Sequence, residues 1–500
     1  MNLLFKTLPL VSLAILPIAA LHAQQYKDEH YSFSATSPII QVDLNRDGIP
    51  DFIRNAPSEQ ELLSSGSGTY TAHTYAQVPG GGPFGTPVAG GDFNGDGKAD
   101  VVFVQPLGVA YGDGKGGFTS YQEAAANIGF GYAVAQVADF THDGKPDVAI
   151  AYTPEESGFP TYVIILLVNN GHGFNEPVTV YKQGSGPGAG YQSTTPLDLV
   201  LGDFDADGKA DLVLRTTQTN PNPNNYLGSL LTLTALYGDA SGHFAAKTVL
   251  TKTNSPFQIA TADMNNDGRS DLVADGSAIT IFYGHANRTF TQGTVGTHGA
   301  QGNPMLADFD GNFRKDIVYP WTSDQGEIGV SDLLQTGPSA FTQGDFYSTG
   351  DTYHPGTGVV PFTQTLVGDY NHDQRPDVAL MASGDADRYP NNIHILLNLQ
   401  GVPDGGCKTP APVGIAVCLP TTQTASNPVK FSFAANSFYP IRKMEVWVDG
   451  VKLSETYKVF ANDGFQDVKL TLSAGTHNVD LYAIGFDQEG FRKSLKITVK

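Results

Sequence analysis

One nine-residue pattern, D-x-[DN]-x-D-G-x-x-D in its full form, recurs seven times along the 500-residue chain and constrains its fold more than any other feature. Copies begin at Asp43 (DLNRDGIPD), Asp92 (DFNGDGKAD), Asp139 (DFTHDGKPD), Asp203 (DFDADGKAD), Asp263 (DMNNDGRSD), Asp308 (DFDGNFRKD) and Asp369 (DYNHDQRPD). Successive starts lie 49, 47, 64, 60, 45 and 61 residues apart. A period of this size signals a repeat architecture, in which each unit buries its apolar face only against its neighbours. The pattern also concentrates the acid, since 22 of the 50 Asp plus Glu are Asp at positions one, three, five and nine.

Hard oxygen donors two residues apart, then a Gly that allows a sharp turn, then a further carboxylate, describe a loop that wraps Ca²⁺. The candidate ligands are Asp43, Asn45, Asp47 and Asp51 in the first copy and Asp92, Asn94, Asp96 and Asp100 in the second. They are Asp139, Thr141, Asp143 and Asp147 in the third, and Asp203, Asp205, Asp207 and Asp211 in the fourth. Asp263, Asn265, Asp267 and Asp271 follow, then Asp308, Asp310, Asn312 and Asp316, and last Asp369, Asn371, Asp373 and Asp377. Position seven adds a backbone carbonyl. Position two is always apolar (Leu44, Phe93, Phe140, Phe204, Met264, Phe309, Tyr370) and can point into a core while the odd side chains converge on the ion. The copy at Asp203, with four carboxylates, is expected to bind most tightly. Thr141 weakens the third copy, and Phe313 and Gln374 in place of the turn Gly weaken the last two, so about four to six structural ions are expected.

An apolar, β-rich run follows position nine, for example at 101–104, 148–150, 212–214 and 317–319, so each loop leads into a strand. That context separates it from the EF-hand, which needs a Glu at position twelve; the first five copies hold Arg54, Phe103, Ile150, Leu214 and Ala274 there. Helical periodicity is absent on both sides, which excludes the EF-hand and a dockerin-type pair with it. Further along the repeat comes a Gly/Asn/Asp turn closed by an aromatic: GDGKGGF ending at Phe118, NNGHGF at Phe174, GDASGHF at Phe244 and GHANRTF at Phe290. Four short strands fit each repeat, and radial repetition of such sheets gives a β-propeller. Seven copies predict seven blades over residues 24–401, with the surplus sequence before the first loop, Tyr31 to Val42, supplying an N-terminal strand that completes the last blade and closes the ring.

The loop joined to a G-[ND]-G-x-G-x-F turn resembles the FG-GAP/VCBS repeat of bacterial extracellular proteins and of integrin α-subunit head propellers, over roughly residues 30–401. The resemblance implies calcium at one rim of the ring. It also implies a role in adhesion or recognition of an extracellular protein or glycan, without catalysis. The alternative is a lectin or an enzyme acting on extracellular polysaccharide.

Residues 1–23 run from Lys6 through an apolar stretch at 8–21 to the small Ala23, the form of a secretory signal peptide. The expectation is a secreted, periplasmic or cell-surface protein, a monomer with no membrane span. Residues 402–413, rich in Gly and Pro, read as a linker. Beyond it, residues 414–500 carry about seven alternating strands, an immunoglobulin-like β-sandwich that resembles small modules appended to bacterial secreted proteins. The fold class expected is therefore all-β, a seven-bladed propeller followed by a sandwich. Cys407 and Cys418, the only two cysteines, form one disulfide in an oxidising compartment or stand as two free thiols. Trp447 is read as core or flank rather than a ligand platform.

A net charge of −21 excludes nucleic acid as a partner, because phosphates are held by clustered Lys and Arg. No G-x-S-x-G elbow, H-E-x-x-H helix or P-loop occurs. His142 and His372 stand at position four of two loops, and His172, His243 and His285 lie in hairpin turns, where they read as turn residues. On this basis the sequence predicts no enzyme. Paired carboxylates for glycoside hydrolysis, however, have no sequence spacing.

Overall fold

The computed structural model describes residues 26–33, 39–54, 61–74, 85–125, 129–154, 161–184, 192–219, 229–253, 258–276, 278–296, 302–312, 314–323, 326–352, 362–373, 375–382, 392–399, 414–418, 424–425, 427–437, 441–457, 463–485 and 490–500. The residues expected to form a signal peptide and a linker, together with Phe313, Gln374 and Cys407, lie outside these residues, as does the side chain of Cys418, and with it the expected disulfide.

Every described element is a strand, and seven antiparallel four-stranded sheets follow one another along the chain. The second sheet is typical: Thr86–Gly91, Asp100–Val104, Leu107–Gly112 and Phe118–Ala125 pair in sequence order. The arrangement is propeller-like. In each sheet the nine-residue loop joins the first strand to the second, and position nine is the first residue of the second strand, opposite the last residue of the first. The pairs are Val42 with Asp51, Gly91 with Asp100, Ala138 with Asp147, Gly202 with Asp211, Ala262 with Asp271, Ala307 with Asp316 and Gly368 with Asp377.

The last sheet takes its outer strand from the other end of the chain. Phe362–Gly368, Asp377–Ala382 and Asn392–Asn398 are completed by Tyr26–Ser32, which runs antiparallel to Asn392–Asn398 from Tyr26 opposite Asn398 to Ser32 opposite Asn392. At this seam His394 links three strands: its Nδ1 is 3.0 Å from Asp28 Oδ2 on the N-terminal strand and its Nε2 3.0 Å from Asp351 Oδ2 at the edge of the sixth sheet.

Second strands such as DVVFV and DLVAD are buried along their whole length because both faces of each sheet are covered. Seven apolar clusters fill the seven gaps between neighbouring sheets. One holds Val42, Leu44 and Ile53 of the first sheet with Val101 and Phe103 of the second. Another packs Phe52 and Leu62 of the first sheet on Tyr370, Met381 and Ile395 of the seventh, so the series closes on itself. A cavity of about 290 Å³ is lined by residues on or beside the first strands of all seven sheets. Side chains there stitch neighbours together: Gln41 Nε2 donates to Val367 O at 3.0 Å, Gln136 Nε2 to Leu199 O at 2.8 Å and Thr365 Oγ1 to Asn303 O at 2.7 Å.

Past the linker, a three-stranded sheet (Gly414–Cys418, Val429–Asn436, Asp463–Leu470) and a five-stranded one containing Ile441–Val448 and Gly475–Gly485 share a separate core of Phe431, Phe433, Met444, Val446 and Leu481. Trp447 stands edge-on to Tyr482 at 6.3 Å and donates its indole N–H to Glu445 Oε2 at 2.7 Å. No described helix is long and apolar enough to cross a membrane.

Candidate metal loops

All 28 residues singled out from the sequence fall in the seven loops, and the loops share one internal geometry. The position-one carboxylate accepts the backbone N–H groups of positions five and six: Asp96 and Gly97 donate to Asp92 at 3.1 and 2.8 Å, Asp143 and Gly144 to Asp139 at 3.0 and 2.9 Å, Asp267 and Gly268 to Asp263 at 3.1 and 2.9 Å. The position-three oxygen accepts from position five in most copies, as Asn45 Oδ1 does from Asp47 N at 3.0 Å and Asn371 Oδ1 from Asp373 N at 2.8 Å. The position-five oxygen accepts from position seven, as in Asp207 with Lys209 N at 3.0 Å and Asn312 with Arg314 N at 2.9 Å. Thr141 departs from this, spending its hydroxyl proton on Asp147 Oδ2 at 3.0 Å.

Such coiling needs left-handed backbone at two places. The turn Gly at position six has positive φ, for example 85° at Gly48 and 90° at Gly208. Position four has it in every copy: Arg46, Gly95, His142, Ala206, Asn266, Gly311 and His372, with φ from 55° to 76°. L-residues other than Gly, Asn and Asp adopt this conformation at a cost of about 1–2 kcal/mol, so the hydrogen bonds inside the loop hold it. His372 is more than a turn residue, since its Nε2 lies 2.7 Å from Asp47 O of the first loop.

Position nine has a role that spacing alone did not reveal. Its carboxylate is buried, and its two oxygens brace two pieces of backbone. Asp100 accepts from Phe93 N and from Gly112 N, both at 2.9 Å; Asp271 accepts from Met264 N and Gly284 N, both at 2.9 Å; Asp377 accepts from Tyr370 N at 2.9 Å and Asn398 N at 2.7 Å. These braces tie position two to the end of the third strand; in the third loop Asp147 instead accepts from Thr141 N at position three, at 3.1 Å, and from Asn169 N at 2.9 Å. Burial pushes these carboxyls up, to about 7 for Asp100, Asp147 and Asp316 and about 8 for Asp271. Burial likewise raises Asp43 and Asp263 at position one to about 6. A buried carboxylate this reluctant to ionise favours uptake of a proton or a cation.

The loops also grip their neighbours. The position-two carbonyl accepts a bond from the turn or the third strand of the following sheet: Gly116 N to Leu44 O at 3.2 Å, Asn169 Nδ2 to Phe93 O at 2.9 Å, Gly242 N to Phe140 O at 3.1 Å, Gln335 Nε2 to Met264 O at 2.7 Å and Asn398 Nδ2 to Phe309 O at 2.9 Å. The aromatic that closes the second motif packs on the position-two ring of the preceding loop: Phe93 with Phe174 at 5.2 Å, Phe140 with Phe244 at 5.6 Å and Phe204 with Phe290 at 5.7 Å.

The donor set, carboxylates and side-chain amides with no sulfur or imidazole, suits a hard cation. Three carboxylates converge within 4.8 Å of one another in two places, Asp203 with Asp205 and Asp211, and Asp308 with Asp310 and Asp316. Those are the copies with Asp at position three. The sixth loop, expected to be weak, thus also brings three carboxylates within that distance.

Basic residues at position seven neutralise position five, as in Lys98 with Asp96 at 2.8 Å and Lys145 with Asp143 at 2.6 Å. The fourth loop receives two further cations that sequence spacing gave no sign of. Arg288 of the following sheet places Nε 2.7 Å from Asp205 Oδ2, and Arg442 of the C-terminal sheets places Nη2 2.5 Å from Asp203 Oδ2.

The family model described as FG-GAP-like repeat matches residues 43–103 and 203–274. The chain carries FG-GAP-like repeats. No curated protein matches it. Among solved structures, the exotype rhamnogalacturonan lyase YesX is similar at 12% identity and a TM-score of 0.38, with 75% of this chain and 73% of that one covered. An exo-β-1,3-galactanase from Phanerochaete chrysosporium is similar at 8% identity and 0.32, with 72% and 94% covered. The WD40 domain of SCAP from fission yeast is similar at 9% and 0.34, with 96% and 88% covered. These findings correct the expectation of a protein without catalysis. The similar structures include a rhamnogalacturonan lyase and a galactanase, and because paired catalytic carboxylates have no sequence spacing, the lack of a linear catalytic motif is no ground for excluding an enzyme.

Proposed function

We propose that this protein is an extracellular, calcium-ordered, seven-bladed β-propeller carrying an immunoglobulin-like sandwich at residues 414–500, and that its ring engages a polysaccharide, as a binder or as an enzyme. Calcium is supported by the buried, cation-seeking carboxylates that seven loops present in one shared geometry. With an ion bound, the odd-position oxygens would hold it, and the ion would supply fixed positive charge that lets position one and position nine ionise. The chain's own residues then transmit that order, because the position-two carbonyls of five loops and the position-two rings of three are gripped by the next blade.

The observation that carries the ligand reading is the contrast between the constant first-to-second-strand loops and the variable connections at the other rim. Every connection between first and second strands has one length, eight residues, which suits a structural role, although the third-to-fourth-strand connections on that rim vary from 338–339 to 168–177. Connections leaving the other rim vary in length, from Gln105–Pro106 between two strands of the second sheet to the residues between Thr219 and Ser229 in the fourth. Variable loops on a rigid scaffold are where recognition resides. By sequence alone, the stretches between these strands contain Tyr75, Tyr191, Tyr226, Tyr353 and Tyr389, all outside the described residues. Tyr combines an apolar ring face with a polar tip, chemistry that suits a sugar. The test is a glycan array together with a release assay on plant and microbial polysaccharides in calcium. Retention or new chain ends on a defined polysaccharide supports the reading, and silence in both assays refutes it.

A further inference from the structure

The fourth loop has the most carboxylates of the seven and is the one that the C-terminal module reaches. Arg442 stands at the start of Ile441–Val448, where the pairing with Gly475–Gly485 slips between Ile441 and Lys443. It is the extra residue of a β-bulge, a device that re-aims a side chain away from the sheet's alternation. Its guanidinium, 10% exposed, meets Asp203 Oδ2, 1% exposed, at 2.5 Å across 239 residues of sequence. It also lies over the loop's turn, since a Cβ added at Gly208 would sit 3.6 Å from Nη2 and 4.0 Å from Nη1. Arg442 Nε is buried with no hydrogen-bond partner among the described residues. From the other side Arg288, stacked 4.8 Å over the Tyr237 ring, holds Asp205 and reaches Asp207 Oδ2 at 3.7 Å, while Lys209 holds Asp207 at 2.6 Å. The loop's carboxylates therefore already face three cationic side chains, two of them from outside the loop.

We propose that the fourth loop is a socket for the C-terminal module, in which the Arg442 guanidinium takes the place of a divalent ion, so that docking of the module and calcium in this loop exclude one another. Position one is a first ligand of such a loop, and the oxygen that calcium needs at 2.3–2.6 Å is the one the guanidinium holds. Two cations sharing that oxygen repel. Calcium at the fourth loop thus competes with an internal arginine, Arg442. The fourth loop becomes the calcium-sensitive point of the molecule, and its filling frees a module tethered by residues 402–413.

The proposal rests on the calcium reading, and the experiment separates the two. Calcium is titrated calorimetrically into the full chain and into Arg442→Gln, and small-angle scattering follows both across the titration. In the wild-type chain the weakest site should coincide with an increase in radius of gyration. In Arg442→Gln the chain should be extended at zero calcium, and one site should tighten roughly 10- to 100-fold, the equivalent of one charge-assisted hydrogen bond. If Arg442→Gln fails to fold, Asp203→Asn in the wild-type background should extend the chain and abolish the weak site. Calcium binding and scattering that ignore both substitutions overturn the proposal alone. No calcium binding by any of the proteins overturns it together with the calcium reading.

Discussion

Asp100→Ala tests whether position nine braces the fold or serves only as a ligand. Asp100 is fully buried, and its carboxylate satisfies Phe93 N and Gly112 N, each at 2.9 Å. Alanine leaves both N–H groups buried without acceptors, and each such orphan costs about 1–3 kcal/mol, so the loss is about 2–6 kcal/mol. With an unfolding entropy of about 2.1 cal/mol/K per residue over roughly 370 residues, this lowers the midpoint by about 3–8 °C. Asp100→Asn keeps one acceptor oxygen and should lose about half as much. The assay is a calorimetric melt of wild type and both variants, once in EDTA and once in millimolar Ca²⁺. The braces exist without metal, so the drop must persist in EDTA. A variant that melts with wild type in EDTA and falls behind only in calcium refutes the bracing argument and leaves Asp100 a ligand alone.

Three further outcomes follow from the same geometry. Burial lowers the affinity of His394 for its proton, but its hydrogen bonds to Asp28 and Asp351 outweigh this and push it up to about 9; a raised pKa stabilises fully below the unfolded value of about 6.5 and is lost as pH rises through 9. Melts between those limits should show the wild-type midpoint falling and Asp28→Asn falling less. In EDTA the buried carboxyls Asp43 and Asp263 (about 6), Asp100, Asp147 and Asp316 (about 7) and Asp271 (about 8) stabilise fully only below about 4, and that contribution is lost as pH rises through 6 to 8. The EDTA midpoint should therefore decline between about pH 4 and 8 and level off above, and calcium should remove the decline. Phe204→Ala empties a fully buried site against Phe290 and should cost about 3–5 kcal/mol by chemical denaturation.

Much of this was legible in the sequence because the loop is a local object. Asp, Asn and Gly at fixed offsets report a coil of backbone that closes within nine residues, and the position-two ring announces the side facing the core. The aromatic of the second motif was visible as a signal, but its purpose, packing on the preceding loop, needed the sheet order. The surplus sequence before Asp43 was enough to foresee that an N-terminal strand completes the last sheet, but the strand that does so, Tyr26–Ser32, starts upstream of the expected 31–42, whose end Ile40–Val42 belongs to the first sheet. Position four carried an unread signal: Gly95, Gly311 and Asn266 are residues that tolerate left-handed backbone. Position seven carried another, since it is Lys or Arg in every copy but the first.

What spacing could not show is contact between distant residues. Arg288 lies 83 residues beyond Asp205 and Arg442 lies 239 beyond Asp203. Counting carboxylates ranked the fourth loop first for calcium without sight of the arginines that meet them. Nor can spacing distinguish a ligand from a brace, because Asp at position nine satisfies both patterns. Enzymatic pairs of carboxylates share this invisibility, which is why a motif search was a poor basis for excluding catalysis.

The most direct measurement of the central claim is thermal unfolding of the mature protein in EDTA and then in millimolar Ca²⁺, with bound metal counted after dialysis. The account predicts a large calcium-dependent rise in midpoint and about four to six ions per chain. An unchanged midpoint with no retained metal contradicts it, and leaves seven acidic turns whose buried carboxylates are neutralised by protons and by arginine alone.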